Sequence, residues 1–272
     1  MSELQDIVSR SSQLMAAIRA LETKRPDRLF EDPYAAQLAG SEIIAQVEPK
    51  LKEYGIRYVE VRTRFFDDFM VSSASQIGQI VILGAGMDTR AFRLPWPPET
   101  RLYELDRLEV LQKKESILQD SPAKALRICV AADLGQAWSS QLLATGFQPE
   151  QPTLWLLEGL IYYLNETEVD LLLKTISELS AIGSCLGADL LNVKLIQEAV
   201  TEWSQSYLGD LPEKSWRYGC DEPEKLFTEH AWQASVVQPG DEGAHFGRFT
   251  LQFPPREVPD VSRCFFVTAN KV

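Results

Sequence analysis

The chain has 272 residues, of which 45% are apolar, enough for one domain with a sizeable core. Its 27 basic and 39 acidic residues give a formal net charge of −12, which disfavours nucleic acid and anionic membranes as partners because both need a basic surface. No apolar run reaches transmembrane length, and the N-terminus lacks the basic-then-apolar pattern of a signal peptide. We therefore expect a cytoplasmic protein with neither kind of partner.

The first 75 residues predict a cap made of helices. Apolar residues between Leu4 and Leu21 recur at helical spacing. Asp32 and Pro33 predict the start of a second helix, because proline suits the first helical turn. A third helix is predicted over about 52–72.

Two arginines of this cap are candidate binding residues. On a helical projection of the third helix, Arg62 falls inside an apolar stripe, whereas Glu60 and Asp67 fall on the far, polar side. A buried guanidinium needs a partner. That partner is either a protein carboxylate or a ligand carboxylate, which arginine binds through two parallel hydrogen bonds. Arg19, at the edge of the first helix's stripe, is either a second basic contact or a solvated side chain.

A nucleoside site is predicted where the helices give way to a strand. Residues 80–83 are apolar and mostly β-branched, and Gly84, Ala85 and Gly86 follow them at once. Glycines allow a tight turn and the close approach of a ligand. A second strand ends at Asp106, twenty residues after Gly86. In such an arrangement the acid binds the ribose hydroxyls, and the turn faces the group attached to the ribose.

The residues after the turn indicate which nucleoside it is. A dinucleotide turn would carry a third glycine where this chain has Thr89. Asp88 would repel a pyrophosphate, and the three prolines within 95–98 shorten any helix that could bind one. The positive ammonium and sulfonium of S-adenosylmethionine tolerate the acid. We therefore predict S-adenosylmethionine rather than NAD.

From residue 79, strand patterns alternate with helix patterns, which predicts a doubly wound α/β fold around a parallel sheet. The predicted strands lie near 79–84, 101–105, 126–131, 152–158 and 184–190, and the helices near 107–119, 137–145, 166–180 and 193–206.

Ligands bind beyond the carboxyl ends of the strands in such sheets, where Asp106, Asp133 and Glu158 fall. Asp106 could instead cap the helix that follows it. Three acids at three successive strand ends nevertheless favour a ligand-binding site. Glu104 either supports Asp106 or is solvated.

The chain becomes aromatic and irregular after residue 191. Segment 191–232 is interpreted as a lid, whose aromatic residues either contact a substrate or fill the core: Trp203, Tyr207, Trp216, Tyr218, Phe227 and Trp232. An antiparallel pair of strands is predicted at about 233–238 and 263–269. The whole chain would then be one domain, with a cap (1–75), a cofactor-binding core (76–190), a lid (191–232) and terminal strands (233–272).

The motifs occur together in the order of one family: LGAGMDTR at 83–90, ELD at 104–106, ADL at 132–134 and LEGLIYYL at 157–164. From about residue 19 to residue 267, the chain resembles the leucine carboxyl methyltransferase family, which includes bacterial enzymes that methylate polyketides. The resemblance implies that Asp106 holds the ribose, Asp133 and Leu134 the adenine, and Glu158 the nucleoside or aminoacyl part. It also implies a carboxylate-binding arginine in the segment of Arg62.

We therefore expect an O-methyltransferase that uses S-adenosylmethionine on a small-molecule carboxylate or hydroxyl of secondary metabolism. The alternatives are an NAD-dependent oxidoreductase, a methyltransferase for a protein C-terminal carboxylate, or a nucleotide-binding module without catalysis. A hydroxyl acceptor would need a base, for which Tyr162, His230 and His245 are the candidates. No histidine or cysteine has metal-ligand spacing, so no metal is expected.

Overall fold

Seven strands form one sheet in this computed structural model, which describes residues 3–55, 57–199 and 216–272. Their spatial order is β3-β2-β1-β4-β5-β7-β6. In chain order the strands are β1 (Gln79–Leu83), β2 (Arg101–Asp106), β3 (Leu126–Ala131), β4 (Thr153–Leu157), β5 (Cys185–Leu191), β6 (Trp232–Val237) and β7 (Cys264–Lys271).

The first five strands are parallel, which confirms the predicted doubly wound α/β fold. β1 pairs with β2 on one side and with β4 on the other, so the strand order reverses at β1. Every residue of β1, β4 and β5 is buried. Both faces of the sheet are therefore covered in this region. A crevice opens beyond the carboxyl ends of the strands at such a reversal, and ligands bind there.

The terminal antiparallel pair is also confirmed, although its place in the sheet was not predicted. β7 lies between β5 and β6 and runs antiparallel to both. The last strand of the chain is therefore internal, and β6 forms the edge.

The helices surround this sheet. They are α1 (Glu3–Thr23), α2 (Ala35–Ala39), α3 (Ser41–Tyr54), α4 (Tyr58–Ala74), α5 (Arg90–Arg93), α6 (Leu108–Leu118), α7 (Ser139–Leu143), α8 (Glu166–Glu178), α9 (Val193–Ala199) and α10 (Pro223–Glu229), with a 3-10 turn at Ile161–Tyr163. Within the described ranges, no helix has both the length and the apolar character needed to cross a bilayer.

Two helix predictions for the cap were wrong. The single helix expected over 52–72 is two helices, because Gly55 adopts a left-handed φ of 66° and ends α3 before α4 begins. The helix expected at Asp32 begins at Ala35, because an Asp32 carboxylate oxygen accepts the N–H groups of Tyr34 and Ala35 and holds a turn there. The part of the predicted 193–206 helix beyond residue 199 lies outside the described residues.

Helix α4 is buried on more sides than its sequence pattern predicted. Glu60 and Asp67 were expected to face solvent, yet both are buried. Asp67 pairs with Arg90 at 2.8 Å and Arg93 at 2.6 Å, and Glu60 pairs with Arg57 at 3.3 Å. Arginines, rather than solvent, therefore lie beside these two acids.

Candidate functional site

A cavity of about 400 Å³ lies at the carboxyl ends of the parallel strands, within the size range of small-molecule sites. Every residue predicted to bind the cofactor lines it: Arg19, Arg62, Gly84, Ala85, Gly86, Asp106, Asp133, Leu134 and Glu158. Helices α1 and α4 of the cap form one wall, and the strand ends form the other. The fold thus brings together residues that are up to 139 positions apart in the chain, from Arg19 to Glu158.

The glycine turn after β1 is tied to the end of β2. The backbone N–H groups of Gly84 and Ala85 both donate to the carbonyl oxygen of Leu105, at 2.9 and 3.0 Å. Gly86 has a φ of 44°, and a Cβ added there would lie 3.0 Å from the Cβ of Ser12 on α1. Glycine is required at this position because the cap helix passes directly over the turn.

Asp106 joins the glycine turn to the second strand. Its Oδ2 accepts the N–H of Gly86 at 2.7 Å, and its Oδ1 accepts the N–H of Arg107 at 2.7 Å. Arg107 is the N-cap of α6 without a side-chain capping bond, so Asp106 does not act as the helix cap. A carboxylate has about four acceptor sites. Two are not used by any described residue on this side chain, which lines the cavity and is only 7% exposed.

Arg62 forms the ion pairs that a buried guanidinium requires. Its Nε donates to Glu158 Oε1 at 2.9 Å, and its Nη1 donates to Asp189 Oδ2 at 2.8 Å. Its Nη2 lies 3.7 Å from the Sδ of Met15 at the cavity wall. The prediction of a protein ion pair is therefore confirmed. The binding of a ligand carboxylate by the same guanidinium stays a prediction.

Glu158 and Asp88 share a second arginine, Arg90. The Nη2 of Arg90 lies 2.7 Å from Glu158 Oε2, and its backbone N–H donates to Asp88 Oδ1 at 2.7 Å. Burial favours the protonated form of each acid, but Arg90 and the other nearby cations together outweigh it and lower both pKa values, that of Asp88 to about 2. Both carboxylates are ionised at neutral pH, which suits a ligand that carries positive charge in the part of the cavity that they line.

Arg19 is buried, so the solvated alternative was wrong. Its Nε donates to Asp32 Oδ2 at 2.9 Å, and its Nη2 donates to the carbonyl oxygen of Met87 at 2.5 Å. Arg19 therefore holds the end of the glycine turn against the cap and also lines the cavity.

The adenine-side residues and Glu104 differ in their environments. Asp133 is exposed and accepts the N–H of Gly135 at 3.1 Å, whereas Leu134 is buried. The solvated alternative for Glu104 was wrong, because the side chain is fully buried and pairs with Lys114 at 2.8 Å and Arg127 at 3.0 Å. A supporting role toward Asp106 stays a prediction.

The three candidate bases separate in space. Tyr162 lines the cavity, and burial raises its pKa well above the usual value. His230 lies beside the end of α8, where its carbonyl accepts the hydroxyl of Ser177 at 2.7 Å. That is the end of the sheet opposite the cavity. His245 lies in the connection between β6 and β7, outside the cavity lining. Neither histidine is therefore among the residues that line the cavity.

The described aromatic residues of the predicted lid lie in different environments, and Tyr218 packs partly buried against the core cluster of Phe227 and Trp232. Trp216 lines the cavity and packs edge-to-face against Tyr162, with 5.4 Å between ring centroids. Phe227 and Trp232 are fully buried in the core, which fits the core-filling alternative. Trp203 and Tyr207 lie outside the described residues.

Sequence reasoning missed Asp189. This residue is fully buried within β5, and its carboxylate binds Tyr58, Arg62 and the N–H of Gly159 at 2.9, 2.8 and 2.6 Å. The available signal was an acid inside an otherwise apolar strand, since such an acid needs several partners.

Comparison with known proteins identifies relatives along the whole chain. The family model described as leucine carboxyl methyltransferase matches residues 12–177. An inferred S-adenosyl-L-methionine-dependent methyltransferase from Parafrankia sp. (strain EAN1pec) is 35% identical over 279 residues, covering 97% of this chain and 87% of the relative. A similarly described protein from Mycobacteroides abscessus is 34% identical over 298 residues, covering 98% of this chain and 97% of the relative.

Two solved structures share the fold. One is a DUF574 family protein from Streptomyces avermitilis, with a TM-score of 0.55 and 13% identity, covering 94% of this chain and 97% of that chain. The other is an inferred methyltransferase from Thermobifida fusca, with a TM-score of 0.55 and 16% identity, covering 96% and 94%. At these identities the likeness concerns the arrangement of helices and strands.

Proposed function

We propose, from the premise that the chain belongs to the leucine carboxyl methyltransferase family, that it methylates an oxygen atom of a small molecule. The chain is an S-adenosylmethionine-dependent methyltransferase. Its cofactor is therefore S-adenosylmethionine, and the NAD-dependent oxidoreductase is set aside.

The proposal rests on one observation, which is that different parts of the cavity wall offer different polar groups. Asp106 offers the ribose hydroxyls two acceptor sites that no described residue uses, while its other two sites accept the N–H groups of Gly86 and Arg107. Glu158 and Asp88 supply negative charge near Arg62, which suits an aminoacyl group with both an ammonium and a carboxylate. Asp133 and Leu134 complete the nucleoside end.

Bound S-adenosylmethionine supplies an activated methyl group, so that an acceptor oxygen forms the O–CH3 bond while the C–S electron pair stays on sulfur as a neutral thioether. The protein then has to hold the acceptor oxygen in place and exclude water. The cap helices α1 and α4 support this role, since both line the cavity.

A carboxylate is the preferred acceptor, because it is ionised at neutral pH and needs no base. Among the described lining residues, the acids near Arg62 are paired with arginines, and both histidines lie elsewhere. The region beyond Arg62 is walled by Leu191, Leu195 and Trp216, which favours a mainly apolar small molecule over a protein C-terminus.

Methyl-labelled S-adenosylmethionine tests the proposal. Wild-type protein is incubated with pairs of apolar acids and alcohols that share a scaffold, between pH 6 and 9 and with or without EDTA. We expect label on the acids, a rate that is flat with pH, and no effect of EDTA. Label on alcohols alone, with a rate that rises as a group near neutrality deprotonates, would contradict the carboxylate acceptor. A thermal shift with NAD but not with S-adenosylmethionine would contradict the cofactor.

A further inference from the structure

We propose that the hydroxyl of Tyr162 donates a hydrogen bond to the acceptor's carboxylate and thereby selects acids over alcohols. The inference rests on the proposed function and assigns a positioning role to a residue that sequence analysis offered as a base. Tyr162 lies in the 3-10 turn that follows β4, with its ring in the cavity wall.

The hydrogen bonds around Tyr162 leave its own proton available. The Nη1 of Arg62 donates to the Tyr162 oxygen at 3.2 Å and also donates to Asp189 Oδ2 at 2.8 Å. The tyrosine oxygen is thus an acceptor in its one side-chain bond within the described part of the chain, and no described group accepts its O–H. A buried hydroxyl is stabilised by donating as well.

The neighbouring Tyr58 shows the contrasting arrangement. Its hydroxyl donates to the same Asp189 Oδ2 at 2.9 Å, so its proton already forms a hydrogen bond within the protein. Two buried tyrosines therefore contact one Asp189–Arg62 pair, and of these two only Tyr162 has no described acceptor for its proton.

Tyr162 is held in a fixed orientation between the two halves of the cavity. Its carbonyl accepts the N–H of Arg217 at 2.7 Å, and its ring packs against Trp216 on the apolar side. Its hydroxyl contacts Arg62 on the other side. The Tyr162 hydroxyl therefore lies between the apolar wall at Trp216 and the charged residues around Arg62. In the proposed function, the reacting group of an acceptor would lie there.

Proton transfer is a poor role for this hydroxyl. Burial and then the charge of Asp189 raise the pKa of Tyr162 well above its usual value, so the group stays protonated at neutral pH. A protonated donor binds a carboxylate oxygen more strongly than an alcohol oxygen, because the hydrogen bond is charge-assisted. One carboxylate oxygen would accept from Tyr162 while the other is methylated, and the product is a neutral methyl ester.

Binding to the protein saturated with S-adenosylhomocysteine tests this role even while the natural acceptor is unidentified. The probes are phenylacetate, 3-phenylpropanoate and octanoate, each paired with its alcohol and measured by calorimetry. Tyr162→Phe removes only the hydroxyl. Tyr103→Phe is the matched control, because its buried hydroxyl lies outside the cavity lining and has no described partner.

We expect wild type to bind at least one acid more tightly than its alcohol. Tyr162→Phe should weaken that acid about tenfold and the alcohol by less than about twofold, as for loss of one bond to a charged group. S-adenosylhomocysteine affinity and the melting temperature should stay unchanged, and Tyr103→Phe should match wild type.

Three results would overturn the inference: no wild-type preference for any acid over its alcohol, an unchanged acid affinity in Tyr162→Phe, or an equal loss for acid and alcohol. Failure of the proposed function is recognised separately. It would appear in wild type as the absence of methyl transfer to any oxygen, whatever the Tyr162 variant does.

Discussion

The carboxylate of Asp106 accepts the backbone N–H of Gly86 at 2.7 Å, across twenty residues of chain. One side chain thus fixes the glycine turn and presents its remaining acceptor sites to the cavity. The same oxygen atoms organise the turn and line the cavity. In the proposed function, the shape of the turn and the binding of the nucleoside therefore depend on one residue.

Asp106→Ala should weaken S-adenosylmethionine binding by about 1.5–3 kcal/mol, the value of hydrogen bonds to a charged group. Calorimetry measures the affinity, and circular dichroism confirms that the variant is folded. Asp120→Ala removes an exposed aspartate shortly after α6 and should bind like wild type. An unchanged affinity in folded Asp106→Ala would mean that this residue serves the turn alone.

Gly86→Ala should weaken S-adenosylmethionine binding about tenfold or more, equivalent to about 1.4 kcal/mol, because the new Cβ would push α1 away from the turn. The control is Gly243→Ala, which has a left-handed φ of 81° but open space around it. Both variants share a backbone strain of roughly 1–2 kcal/mol. If both bind the cofactor equally well, the contact between α1 and the turn is unimportant for binding.

Arg62 should respond differently to two substitutions. Arg62→Met leaves buried Asp189 and Glu158 without this cation and should destabilise the fold by about 3–5 kcal/mol. Arg62→Lys keeps the charge but loses the fork geometry. It should remain folded and bind S-adenosylmethionine about tenfold more weakly. Urea unfolding and calorimetry measure the two effects. Wild-type affinity in Arg62→Lys would restrict Arg62 to a structural ion pair.

Glu60 gives a pH-dependent prediction about stability. Burial raises its pKa to about 7 despite its pairing with Arg57. Between the unfolded pKa of 4.5 and pH 7, the unfolded state is ionised while the folded state remains protonated. The free energy of unfolding therefore falls as the pH rises through this window, by about 2–3 kcal/mol between pH 5 and pH 8.

Glu60→Gln removes this titration, so its stability relative to wild type should rise over the same window. Urea unfolding at pH 5 and pH 8 provides the measurement, and Glu53→Gln, an exposed acid of α3, should follow wild type. A difference between Glu60→Gln and wild type that is independent of pH would show that Glu60 is ionised in the folded protein throughout.

The sequence was most informative where local chemistry determines structure. The β-branched run before Gly84 and the acid at Asp106 predicted a strand, a turn and a nucleoside contact, because each depends on a few adjacent residues. The helical projection likewise identified Arg62 as a buried charge that needs a partner. These features all lie around the cavity found in the structure.

The partner of each buried charged residue was harder to predict, because it depends on contacts between segments that are distant in the chain. Arg62 binds Asp189, 127 residues away, and Arg90 binds Asp67, 23 residues away on another element. The position of β7 between β5 and β6 also has no local signal, since an apolar strand pairs equally well on either side. The break at Gly55, by contrast, was visible as a glycine in a helical pattern and was overlooked.

The chemical stability of the labelled product distinguishes transfer of the methyl group to a carboxylate oxygen from transfer to any other atom. Product formed from methyl-labelled S-adenosylmethionine is treated with mild alkali, and volatile label is collected. A methyl ester hydrolyses, so we expect release of the label as methanol. Label that stays in a base-stable product would indicate an ether or a methylated nitrogen or carbon, and would contradict the account.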